Sequence, residues 1–115
     1  LYVAGGRGNV AALDRYDPAT NTWTTLAPLP VGGEARGAAI LDRLFAVVEV
    51  GSGTTQELRA YQYDPATNKW TRKAAPHYQH PAYVPITWNG KQFLLGVGGV
   101  RFSPYQPNRT EVYAP

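Results

Sequence analysis

Tyr16-Asp17-Pro18-Ala19-Thr20-Asn21-Thr22-Trp23 returns as Tyr63-Asp64-Pro65-Ala66-Thr67-Asn68-Lys69-Trp70, seven of eight residues unchanged at an offset of 47. Recurrence at this period marks stacked supersecondary units rather than one irregular domain. The stretch itself has the chemistry of a tight turn between two strands. The Asp carboxylate accepts from backbone N–H groups two and three residues on, Pro presets φ, and Asn tolerates a positive φ where the chain re-enters a strand. Asn89-Gly90, between Ile86-Thr87-Trp88 and Lys91-Gln92-Phe93, is a type I′ hairpin signal. Asp42-Arg43 takes the equivalent place between Ala38–Leu41 and Leu44–Ala46. No window sustains a 3.6-residue apolar period, so the sequence predicts little or no helix.

A second element travels with the first. Leu1-Tyr2-Val3-Ala4-Gly5-Gly6 precedes Tyr16, and Leu94-Leu95-Gly96-Val97-Gly98-Gly99 precedes Tyr113 in Thr110-Glu111-Val112-Tyr113. Leu44-Phe45-Ala46-Val47-Val48-Glu49 holds the same place before Tyr63. An apolar strand ending in Gly-Gly, a variable loop, a Tyr, a tight turn and a Trp together resemble the kelch repeat, over essentially the whole chain. The resemblance implies repeats of about 50 residues, each building one four-stranded propeller blade. The middle repeat departs from the pattern, because Val48-Glu49 stands where the family has its glycine pair.

The expected fold is therefore all-β, a kelch-type β-propeller segment of four-stranded antiparallel blades, one complete and two partial. With strands lettered a to d from the central channel outward, residues 1–30 form a partial blade with strands b (Leu1–Ala4), c (Ala11–Tyr16) and d (Thr22–Leu26). Residues 36–75 form the complete blade: a (Gly37–Leu41), b (Leu44–Glu49), c (Leu58–Tyr63) and d (Lys69–Lys73). Residues 82–115 supply a (Tyr83–Trp88), b (Gln92–Val97) and c (Thr110–Tyr113). Because propellers close with about four to eight blades, the chain is expected to be a piece of a longer propeller. Its partners would then include remaining blades in cis or further copies of the chain. The Tyr and Trp residues at fixed repeat positions (Tyr16, Tyr63, Tyr113, Trp23 and Trp70) are expected to pack between neighbouring blades.

The formal charge of +3 is scattered over 115 residues, with no run of Lys or Arg and no basic stripe interleaved with aromatics. That argues against a nucleic-acid partner. Cysteine is absent, which excludes disulfides within the chain. Neither a signal peptide nor a membrane span is recognisable.

In a propeller the sheets are structural and the loops carry function. The resemblance implies a binding face where the b–c loops (Arg7-Gly8-Asn9, Gly51–Glu57 and Val100–Arg109) meet the d–a loops (Pro30–Arg36 and Pro76–Pro81). The residues expected to meet a partner there are Arg7, Asn9, Arg36, Gln56, His77, Tyr78, His80, Arg101, Tyr105 and Asn108. His77 and His80 are three apart, but no Cys and no adjacent carboxylate completes a metal set. No metal or other cofactor is expected. The glycine pairs lack the helix and the Lys-Ser/Thr of a phosphate loop, so they read as backbone room at a strand end. Asn108-Arg109-Thr110 fits a glycosylation sequon. The Pro- and aromatic-rich stretch from Val100 to Arg109 breaks the repeat, which makes it the expected place for specificity.

Two functions follow as expectations. The first is a binding module that presents its loop face to a protein or glycan partner and has no chemistry of its own. The alternative is part of a carbohydrate-active kelch-type enzyme, similar to sialic acid mutarotases or to galactose oxidase. In the mutarotase case Arg7, Arg36 and Arg101 would clamp a sugar carboxylate, with His77 or His80 as acid and base. In the oxidase case His and Tyr residues would hold copper, although this chain lacks the Cys of that family's Tyr–Cys crosslink.

Overall fold

A computed structural model of the chain describes residues 1–6, 8–40, 43–51, 55–77, 82–98 and 110–114. They form ten strands and no α-helix among the described residues. The strands are β1 (Tyr2–Ala4), β2 (Leu13–Asp17), β3 (Thr22–Thr25), β4 (Glu34–Ile40), β5 (Arg43–Val50), β6 (Glu57–Asp64), β7 (Lys69–Lys73), β8 (Ala82–Trp88), β9 (Lys91–Val97) and β10 (Thr110–Tyr113). Three antiparallel sheets result, with strand orders β1-β2-β3, β4-β5-β6-β7 and β10-β9-β8. The molecule is an all-β propeller segment in which one sheet has four strands and two have three.

The turns form as their residues dictate. Asn21 and Asn68 both adopt φ 53°. Asp17 Oδ1 accepts from the Ala19 N–H at 2.9 Å, and Asp64 Oδ1 from the Ala66 N–H at 3.0 Å. Asn89 (φ 49°) and Gly90 (φ 72°) are both left-handed, as a type I′ hairpin requires.

The middle sheet is sandwiched. Phe45, Ala46, Val47 and Val48 are consecutive and all buried, because alternate residues of a strand point to opposite faces. One face of this sheet contributes Phe45, Val47 and Ala60 to a cluster with Tyr83, Leu94 and Tyr113 of the third sheet. The other contributes Ala46, Val48 and Tyr61 to a cluster with Leu29, joined by Ala4, Ala11, Val31 and Trp70. Trp70 packs toward the first sheet and Tyr63 is edge-on to Tyr2, with ring centroids 6.2 Å apart.

Tyr16 and Trp23 differ from that expectation. They stack on each other at 5.0 Å, yet Trp23 is 58% exposed. Their positions match Tyr63 and Trp70, and no described sheet lies against that face of the first sheet. Val84, Val97 and Val112 are likewise exposed on the outer face of the third sheet.

The departure at Val48-Glu49 has a structural outcome. Paired residues show the equivalence: Ala4 lies opposite Leu13, and Val47 opposite Ala60, 47 residues further on. Gly5 therefore corresponds to Val48. Gly5 turns out of its strand at φ 70°, as Gly98 does at φ 71°, whereas Val48 and Glu49 stay extended and the left-handed residue is postponed to Gly51 at φ 94°. The lengthened β5 then offers ladder partners further along β4, so Ala35↔Val48 and Glu34↔Glu49 pair beyond Arg36↔Val47. Arg36, expected in the loop before Gly37, sits inside strand β4 opposite Val47, as Ala82 sits opposite Val97 in the third sheet.

Candidate functional site at the junction of the first two sheets

Three connections converge where the first sheet meets the second: β1 to β2, β3 to β4, and β5 to β6. Asn9 holds a left-handed φ of 67° in the first of them. Gly32, in the second, lies so close that a β-carbon there would sit 2.3 Å from the Asn9 carbonyl oxygen and 2.8 Å from Asn9 Oδ1. The neighbouring Gly33 has the same relation to the Glu49 carbonyl, at 2.3 Å, and its N–H donates to Val10 O at 3.4 Å. Side chains at either glycine would push the loops apart, so Gly32-Gly33 is what lets the three connections meet.

Their meeting leaves a cavity of about 210 Å³ lined by Asn9, Gly32, Gly33, Glu34, Glu49, Gly51 and Gln56. Of the residues expected at a partner-binding face, Asn9 and Gln56 are brought together here, although 47 residues separate them in sequence. Arg36 lies close by, in β4. Its guanidinium is 3.3 Å from Glu34 Oε2 and 3.8 Å from Glu49 Oε2. Arg36, expected to help clamp an incoming carboxylate, thus already faces two carboxylates of its own chain.

His77 is elsewhere, at the junction of the second and third sheets. Glu111 Oε1 accepts from the His77 backbone N–H at 2.9 Å and lies 2.9 Å from its Nδ1. The imidazole is mostly exposed, while the Glu111 side chain is largely buried. His77 thus has a carboxylate at hand that its sequence neighbourhood did not show. Among the described residues no group of three His, Asp or Glu side chains is placed to hold a metal ion. Arg7, Tyr78, His80, Arg101, Tyr105 and Asn108 fall outside the described residues, as does the Val100–Arg109 loop.

Sequence reasoning missed Gly32, Gly33, Glu34 and Glu49 as cavity residues, and Glu111 as the partner of His77. For Glu49 the signal was present. A glutamate at a position that is glycine in the two flanking repeats has a side chain to place, and it lies at the cavity. For Gly32-Gly33 no signal existed, because a glycine pair in a loop looks the same whether or not another loop lies against it.

Comparison with known proteins agrees with this architecture. The Kelch motif family matches residues 1–30. Kelch-like protein 1 of Mus musculus is 53% identical over 36 residues, a stretch that takes in 30% of this chain and 5% of that protein. The chain therefore spans only a small part of the length of that relative. With the repeats and the three antiparallel sheets, these matches support a partial kelch-repeat assignment, the family model covering residues 1–30.

Proposed function

We propose that this segment is a protein-binding module whose contact surface is the loop face at the first inter-sheet junction, centred on Asn9 and Gln56. The observation that carries the reading is the cavity in which three connections from two sheets meet. At about 210 Å³ it is smaller than the roughly 300–1,000 Å³ usual for small-molecule sites. It suits one or two inserted side chains of a larger partner. Asn9 and Gln56 offer amide donors and acceptors at its rim, and both are exposed. Kelch repeats are commonly protein-binding, which favours a protein over a glycan.

The test is selection of displayed random peptides on the purified chain, followed by affinity measurements on an Asn9→Ala, Gln56→Ala double variant. The expected result is enriched peptides that lose about tenfold or more in affinity with the variant, whose melting temperature stays near wild type. Enriched peptides that bind the double variant equally well would overturn the proposal.

A further inference from the structure

Four asparagines hold a left-handed backbone: Asn9 at φ 67°, Asn21 and Asn68 at 53°, and Asn89 at 49°. Three of them have their side-chain amide engaged. Asn21 Oδ1 accepts from the Tyr16 hydroxyl at 2.9 Å. Asn68 Oδ1 accepts from the Tyr63 hydroxyl at 2.7 Å and from the Ala27 N–H at 2.9 Å. Asn9 lies against the Gly32 main chain, where a β-carbon would come within 2.8 Å of its Oδ1. Asn89 differs. No hydrogen bond reaches its side chain among the described residues, and Thr87, Trp88, Asn89, Gly90 and Lys91 are all exposed.

The residue that follows differs as well. Val10, Thr22 and Lys69 follow the first three, and Gly90 follows Asn89. A side chain after an asparagine shields the main-chain nitrogen it is attached to, and glycine has none. A β-carbon built on Gly90 would meet nothing within 4 Å, so the space on that side is open. The hairpin also projects. Arg36↔Val47 and Ala82↔Val97 are equivalent pairs, and from the first of them the β4–β5 ladder runs through five pairs to Ile40↔Arg43. From the second, the β8–β9 ladder runs through seven, to Trp88↔Lys91. Two extra pairs carry the Asn89-Gly90 tip about 7 Å further along the strands.

We infer that Asn89 is a site of spontaneous deamidation, which converts the β8–β9 tip from a neutral to an anionic turn. The main-chain nitrogen of Gly90 attacks Asn89 Cγ and a C–N bond forms. The side-chain nitrogen leaves as ammonia, with the proton that the Gly90 N–H gives up. The product is a cyclic succinimide, which water opens at either carbonyl to give aspartate or isoaspartate. The attack needs the turn to loosen for a moment, and a projecting tip does so by local fraying rather than global unfolding. Aspartate keeps the main chain intact and tolerates a positive φ. Isoaspartate threads the chain through the β-carbon and adds one atom to a two-residue tip. A type I′ turn has no place for that atom, so the Trp88↔Lys91 pair opens. The site lies at the end of its sheet that corresponds to Arg43 in β5, whereas the cavity at Asn9 and Gln56 lies at the Val50 end. Its fate is therefore independent of the function proposed above.

The experiment is incubation of the purified chain in mildly alkaline buffer at body temperature, followed over time by peptide mass mapping and isoaspartyl methyltransferase labelling. The expected result is a gain of about 1 Da at Asn89, appearing at least about tenfold faster than at Asn9, Asn21 or Asn68. Thr22→Gly separates sequence from structure, because it gives Asn21 a following glycine and leaves the bond to Tyr16. Asn21 in that variant should still convert several-fold more slowly than Asn89. Conversion of Asn89 no faster than of the other three would overturn the inference. So would equal conversion of Asn21 and Asn89 in a Thr22→Gly variant that melts like wild type.

Discussion

The indole N–H of Trp70 reaches across an inter-sheet junction to the main-chain carbonyl of Ala27, 2.9 Å away and 43 residues earlier in the chain. Among the described residues Trp23, at the same place in its own repeat, makes no such reach, and it is exposed. Trp70→Ala should destabilise by about 2–4 kcal/mol, from lost packing and an unpaired carbonyl. Trp23→Ala should cost less than about 1 kcal/mol, in line with surface substitutions. Urea unfolding of the two variants decides it, and equal midpoints would mean that the two faces are equally packed.

Asn68 serves more partners than Asn21. Both accept from the tyrosine five residues before, but only Asn68 also accepts from Ala27. Asn68→Ala should therefore cost about 1 kcal/mol more than Asn21→Ala, the value of one additional hydrogen bond. Both also lose a residue suited to φ 53°. Glycine at each site separates the causes, since Asn68→Gly restores the backbone but not the bonds. It should remain less stable than Asn21→Gly.

Gly5 and Gly8 are both left-handed, at φ 70° and 82°. Only Gly5 has something in front of it. A β-carbon there would meet Ala35 Cβ at 2.6 Å, while one at Gly8 meets nothing within 4 Å. Gly8→Ala should cost about 1 kcal/mol of backbone strain. Gly5→Ala should cost clearly more, because β1 must also move off the second sheet. Thermal denaturation of the pair checks the ranking.

Burial pushes the phenol groups of Tyr63 and Tyr113 above their ordinary range. Their neutral form is the one the fold accommodates, with each hydroxyl donating to an acceptor. The stability they contribute is complete below the unfolded tyrosine value of about 10 and is lost as pH rises through the higher folded values. Unfolding free energy should thus be insensitive to these groups up to about pH 9 and fall above it. Tyr113→Phe should flatten part of that fall while costing about 1 kcal/mol at neutral pH. An alkaline limb of unchanged slope in the variant would refute the assignment to Tyr113.

Much of the fold is legible in a handful of residues. Asp17, Asn21, Asp64 and Asn68 specify turns through short-range chemistry, since a side chain bonding its own backbone two residues away needs no tertiary context. Asn89-Gly90 does the same for the hairpin between β8 and β9. The end of β5 was harder to read. Replacing glycines by Val48-Glu49 is visible as an anomaly, but its effect on β4 depends on which strand lies beside it. Arg36, expected in a loop, pairs with Val47 in β4, as Ala82 pairs with Val97 in the third sheet.

By itself, then, the amino-acid sequence determined the repeat, its turns, its strands and hence the kind of sheet, because those rest on contacts between residues close in the chain. The tertiary structure alone decided which repeated aromatic is buried, that Asn9 and Gln56 share a cavity, and that Glu111 lies beside His77. Each of those depends on which face of a sheet meets a neighbour. Two motifs that differ only at Thr22 and Lys69 read alike on paper, and packing against a neighbouring sheet is what distinguishes them.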